Sequence, residues 1–104
     1  MWLKSWQTPR RSANDIGGVV EAVVLTGGVE LLAQDVLKKG EMPGFLHLYV
    51  GEEATAVGVC AHLRKDDWIS STHRGHGHAL AKGVAPEAIM AELYAKATGC
   101  CGGR

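Results

Sequence analysis

Ser70-Ser71-Thr72-His73-Arg74-Gly75-His76-Gly77-His78 sets three of the chain's five histidines and an arginine within six positions, spaced by glycines. The residues just before it, Trp68-Ile69-Ser70-Ser71, read as a short strand. In open α/β sheets ligands bind beyond the carboxyl ends of strands, often against the helix that follows. Glycine lets backbone approach a ligand closely, while imidazole and guanidinium supply donors that grip anions or titrate near neutral pH. This is too much polar chemistry for a core element, and it marks the candidate site. His73-Arg74 reads as a phosphate or diphosphate grip, with arginine as a planar two-pronged donor and histidine as an orientable one. The plain alternative is a surface arginine beside a solvated histidine. A metal site on His73, His76 and His78 is poorly served, because their spacing does not put all three on one helical face and no carboxylate lies in the cluster. A catalytic zinc site asks for three converging protein ligands.

Upstream, Lys65-Asp66-Asp67 reads as a turn and Glu52 to Leu63 as a helix, apolar on nearly every side through Ala54, Ala56, Val57, Val59, Cys60 and Ala61. Such a helix needs cover on nearly every side, and a chain this short has little to give, so partner surface or further chain is expected to cover it. Glu53 reads as a carboxylate at that helix's positive end. Met42 to Tyr49 is apolar but interrupted by Pro43-Gly44, an extended and partly buried loop. His47 within it is, taken alone, a core histidine satisfied by a backbone carbonyl. Before the loop, Val29, Leu32, Ala33, Val36 and Leu37 form the stripe of an amphipathic helix. Glu30 sits in its first turn, Lys38 and Lys39 in its last, and Gly40 and Pro43 end it. Residues 1–28 are left unassigned, a β-branched run broken by Gly17-Gly18 and Gly27-Gly28 that suits a strand or a poor helix. Downstream, a short helix from His76 to Lys82 is closed by Gly83, and a second runs from Pro86 to Ala97, closed by Gly99. Cys60 reads as a small core residue. Cys100-Cys101 could hold a metal or form a strained bridge, a loop that continues beyond Arg104 being the plainer account.

The chain has 104 residues, 14 glycines and few aromatics, enough for one domain with a modest core. Eleven basic side chains balance eleven acidic ones, so no charged surface recommends nucleic acid and any anion site must be local. Three cysteines without a C-x-x-C pair suit a reducing setting. No apolar run of about 18 residues is present for a membrane span. Residues 1–13 lack the apolar stretch of a secretory signal, although Lys4, Ser5, Arg10, Arg11 and Ser12 faintly resemble an organellar transit peptide. A bacterial cytoplasmic location is expected ahead of an organellar matrix.

Three segments in order carry a resemblance: Pro43-Gly44-Phe45-Leu46-His47-Leu48-Tyr49-Val50-Gly51-Glu52-Glu53-Ala54, then Asp67 through His78, then Gly99-Cys100-Cys101-Gly102-Gly103-Arg104. Together they resemble the α subunit of the thiamine-diphosphate-dependent E1 component of 2-oxo acid dehydrogenase complexes, of the pyruvate and acetoin dehydrogenase type. The resemblance covers residues 29–104 and implies the amino-terminal part of a longer subunit. It implies an α/β thiamine-diphosphate-binding fold when complete, this part being mainly α-helical with one or two short strands. It further implies that His73 and Arg74 hold the cofactor diphosphate and that His47 and His76 are active-site histidines facing the thiazolium and substrate. The reaction implied is decarboxylation of a 2-oxo acid, or acetoin cleavage, with transfer to a lipoyl group on E2; the implied partners are E2 and an E1 β subunit in an α2β2 assembly. The Gly-Asp-Gly…Asn segment that binds Mg2+ in that family does not occur in these 104 residues, and the activating glutamate belongs to the β subunit, so the chain alone is expected to be inactive. The readings left beside it are a small helical binding module, whose histidine cluster binds metal or faces solvent, and a non-functional gene remnant.

Overall fold

The computed structural model describes residues 2–3 and 16–104; the basic and serine residues read as transit-like, Lys4 to Ser12, lie outside them. Four helices dominate: α1 (Ile16–Lys38), α2 (Glu53–Cys60), α3 (His76–Ala81) and α4 (Pro86–Leu93). Two two-residue strands, β1 (Trp2–Leu3) and β2 (Ile69–Ser70), pair antiparallel with Trp2 opposite Ser70. The expectation of a mainly helical chain holds.

Helix α1 is the backbone of the arrangement, and it corrects the expectation that helix begins at Val29. It starts at Ile16 and runs 23 residues, straight through Gly17-Gly18 and Gly27-Gly28. Interior glycine costs roughly 1 kcal/mol against alanine, so local propensity argues against this helix. Packing overrides it: Ala22, Thr26, Val29, Ala33 and Val36 are all buried and recur at alternating four- and three-residue steps, a continuous seam on one face. The Thr26 hydroxyl donates to the Ala22 carbonyl one turn back at 2.8 Å, which satisfies the one polar group in that seam other than Glu30. Leu32, expected in the stripe, is instead exposed, as is Leu31.

Around the seam lie two apolar clusters. Val29 packs with Ala79, Leu80, Val84 and Ile89, and Ala33 and Val36 pack with Met42. Met90 and Leu93 of α4 touch both and join them. Helix α2 meets α1 at Gly27, where an added Cβ would stand 3.3 Å from the Glu53 carboxylate. Only Ala56, Val57 and Cys60 of α2 are buried; Val59 is exposed.

Three helices end in the same way. Gly40 takes a left-handed φ of 71°, its N–H donating to the Leu37 carbonyl and that of Glu41 to Val36. Gly83 repeats this with bonds to Leu80 and, through Val84, to Ala79. Both are Schellman closures, and Val84 packs on Ala79 as the motif favours. Helix α4 was expected to reach Ala97 and to stop at Gly99, but it stops at Leu93 with Ala95 at φ 54°, its N–H bonded to the Glu92 carbonyl and that of Lys96 to Ala91. A left-handed alanine costs roughly 1–2 kcal/mol. Here the turn is held from outside, because the Gly103 backbone sits against Ala95 so closely that a Cβ on Gly103 would collide with it.

Helix α2, expected to reach Leu63, ends at Cys60 and passes into turns, with Leu63 N–H on the Cys60 carbonyl. The cause is Lys82. Its ammonium, buried at the end of α3, donates to the carbonyls of Arg64 at 2.7 Å, Asp67 at 2.8 Å and Lys65 at 3.4 Å. Asp67 in turn accepts the Arg64 N–H at 2.7 Å. The 64–67 turn is thereby tied to α3, which fixes where β2 and the histidine cluster begin.

Candidate functional site

The loop between α1 and α2 lies alongside residues 73–78, and the two segments meet residue by residue. His47 and His73 face each other edge to face, ring centroids 4.6 Å apart at 78°. The Arg74 guanidinium donates through Nη1 to the Leu48 carbonyl. The Tyr49 ring lies over Gly77, so tightly that a Cβ there would overlap it, and stands edge-on to His78 at 5.3 Å. Only glycine leaves room for that approach. Burial pushes the Tyr49 phenol above its usual range, with the Glu52 charge adding to it.

Beneath these contacts sits Glu30, 1% exposed. One carboxylate oxygen accepts the Tyr49 backbone N–H at 2.9 Å, and the other is 3.0 Å from His76 Nδ1. A single side chain of α1 therefore holds both the loop and the first residue of α3. In the neutral ring, an Nδ1–H donated to Glu30 leaves Nε2 as the acceptor nitrogen. Reading Glu30 as a first-turn helix carboxylate missed this, because α1 does not start there. The available signal was its place next to the buried seam, four residues after Thr26 and three before Ala33.

The residues singled out in the sequence are thus gathered at one edge of the molecule, though not all into one cleft. A cleft of about 360 Å³ is lined by His73 and His76 with Ser71, Thr72 and Gly75, and on α4 and the segment after it by Ile89, Glu92 and Cys100. His47 and Arg74 stand outside that lining, turned toward each other's segments. The three clustered histidines diverge: His73 toward His47, His76 toward Glu30, and His78 toward Tyr49. The buried Nδ1 of His78 has no hydrogen-bond partner among the described residues.

Glu92, which sequence reading passed over, organises the far wall. Its carboxylate accepts the backbone N–H groups of Cys101 at 2.8 Å, Gly103 at 2.9 Å and Arg104 at 3.0 Å. These bonds, that from Gly103 foremost, hold its pKa below the usual carboxylate value. Burial pushes the Cys60 thiol up, consistent with an inert core residue.

Residues 21–104 match the family described as Dehydrogenase E1 component. The match opens inside the segment that sequence reading left unassigned. The chain is 56% identical over 77 residues to the α subunit of acetoin:2,6-dichlorophenolindophenol oxidoreductase from Bacillus subtilis, covering 74% of this chain and 23% of that protein. It is 44% identical over 84 residues to the chloroplastic pyruvate dehydrogenase E1 component subunit alpha-3 of Arabidopsis thaliana, covering 81% of this chain and 20% of that protein. A third relative, the pyruvate dehydrogenase E1 component subunit alpha of Zymomonas mobilis, is 46% identical over 66 residues, 62% of this chain and 19% of that one. The chain spans about a fifth to a quarter of the length of these curated relatives. No solved structure matches it.

Proposed function

The chain belongs to the dehydrogenase E1 component family, and from that membership we propose that it serves as the part of an E1 α subunit that grips the diphosphate of thiamine diphosphate. The observation that carries this reading is the seating of His47 against His73 and of Arg74 on Leu48, which brings distant segments to one polar edge. The donor set suits a diphosphate. His73 offers a ring nitrogen, Arg74 retains guanidinium N–H groups beyond the one on Leu48, and Gly75 leaves the backbone between His73 and His76 uncluttered.

In this reading His73 and Arg74 hold the diphosphate, and His47 and His76 are the active-site histidines. His76 has its ring orientation and tautomer set by Glu30, so that Nε2 takes or gives a proton on the cleft side. His47 supports the ring of His73 and adds a second titratable group beside it. When bound, thiamine diphosphate supplies the carbanion chemistry for decarboxylating a 2-oxo acid or cleaving acetoin. Mg2+, an E1 β subunit in an α2β2 assembly and the lipoyl group of E2 complete the proposal. The whole subunit then has an α/β thiamine-diphosphate fold, to which residues 29–104 contribute. The higher identity to the acetoin enzyme favours that branch. The metal-binding alternative for the histidine cluster finds no support in three rings that point three ways.

Titrating the 104-residue chain with inorganic pyrophosphate while following its histidine and arginine side chains by NMR tests this. Shifts centred on His73, Arg74 and His47, lost in Arg74→Ala, are expected. Shifts no larger than those from chloride at equal ionic strength would refute the grip. The same chain supplied with thiamine diphosphate, Mg2+ and pyruvate or acetoin is expected to form no product, since the Mg2+-binding segment and the β-subunit glutamate are not in it.

A further inference from the structure

We propose that Glu92, Cys100 and Cys101 form a binding site for a divalent cation of the zinc class. The ligand atoms of these three side chains lie within 4.8 Å of one another. Two sulfurs on one tetrahedral zinc stand roughly 3.8 Å apart, given Zn–S bonds of about 2.3 Å, so small rotations close the set on one ion. The donors are two thiols and a carboxylate, and thiolate selects zinc over the harder magnesium and calcium.

The local backbone is shaped for this. Gly102 N–H donates to the Gly99 carbonyl at 3.0 Å, which makes Cys100 and Cys101 the two central residues of a β-turn. The turn is anchored to α4 at both ends: Cys100 N–H donates to the Ala88 carbonyl at 3.2 Å, and the N–H groups of Cys101, Gly103 and Arg104 converge on Glu92. Gly99 lies so close to Glu92 that a Cβ on it would collide with both carboxylate and backbone. Glu92 Oε2 already takes two N–H groups, but Oε1 takes only that of Arg104 and keeps a lone pair for a cation. Three protein ligands leave a fourth tetrahedral position to water, on the wall of the cleft that His73 and His76 also line. The ligands come from α4 and the turn after it, and none of them belongs to the diphosphate grip proposed for His73 and Arg74.

The test is a titration of the reduced 104-residue chain with Co2+, followed by absorption. Thiolate-to-cobalt charge-transfer bands with tetrahedral d–d intensity are expected, displaced by stoichiometric Zn2+. Cys101 is exposed, so Cys101→Ser leaves the fold intact; it is expected to remove about half the charge-transfer intensity, as one of two thiolates, and to weaken binding at least about tenfold. Gly99→Ala retains all three ligands yet displaces Glu92, and is expected to weaken binding by about the same factor. Zn2+ should raise the melting temperature of the parent chain but not of Cys101→Ser. Three results would overturn the site: no charge-transfer band, binding unchanged in Gly99→Ala (two loose thiols only), or binding lost in His73→Ala/His76→Ala but kept in Cys101→Ser.

Discussion

A carboxylate that is 1% exposed in a 104-residue chain has to be compensated, and Glu30 is met by a backbone N–H and an imidazole. Removing one partner of such a buried pair costs more than the pair contributes, because the other is left unpaired in low dielectric. Glu30→Ala is therefore expected to lower stability by about 3 kcal/mol. Glu30→Gln, whose amide oxygen still accepts from Tyr49, should cost about half that. Denaturant melts measure both, and an unchanged midpoint for the alanine variant contradicts this account. The histidines and arginine of the cluster were legible as a site because they crowd polar chemistry between glycines. Glu30 was not, since a lone glutamate in an amphipathic stretch reads the same whether it faces water or a histidine 46 residues away. Glu92 was hidden for the same reason: its partners are backbone N–H groups, which leave no mark in the sequence.

At the scale of elements, glycines divide into those that a neighbour requires and those that only weaken a helix. Gly28 has open space where a Cβ would go, so Gly28→Ala is expected to stabilise the chain by about 1 kcal/mol, about 4–8 °C in melting temperature for a domain of this size. Gly77→Ala drives a methyl into the Tyr49 ring and should destabilise it by about 1–3 kcal/mol. If the two substitutions moved the melt in the same direction, the close approach of the loop to α3 would be wrong. Sequence reading placed α3, the start of α4 and the Gly40 and Gly83 closures well, because these follow local rules of capping and proline placement. It misplaced the start of α1 and the end of α4, where packing along the Ala22–Val36 seam and the docking of Gly103 override propensity. The segment held by Glu92 also has a pH signature. Its folded pKa is depressed, so its stabilisation is complete above the unfolded value of 4.5 and is lost as pH falls below that through the folded pKa. Protection of the Cys101, Gly103 and Arg104 amides, measured against their intrinsic exchange rates, should fall across that acid window, and in Glu92→Ala it should be low at every pH.

Taken whole, the molecule buries one face of α1 and leaves much of the other bare. Val20, Val24 and Leu31 are each more than half exposed, and Phe45 and Val59 add apolar surface elsewhere. The apolar α2, expected to need outside cover, does have an uncovered side. Exposed apolar surface of this kind promotes association. Sedimentation or size-exclusion chromatography of the isolated chain is expected to show concentration-dependent self-association, reduced in Val24→Lys/Leu31→Lys at unchanged melting temperature; a monomer at all concentrations would contradict it. Among the described residues no helix is long and apolar enough to cross a membrane. The two bonds of Glu30 also predict an order of assembly. Tyr49 lies 19 residues from Glu30 and His76 lies 46. Closing the longer loop costs about 0.8 kcal/mol more in chain entropy, so the loop reaches α1 first. Glu30 is then already fixed when α3 arrives, and His76 meets an acceptor that no longer has to be ordered.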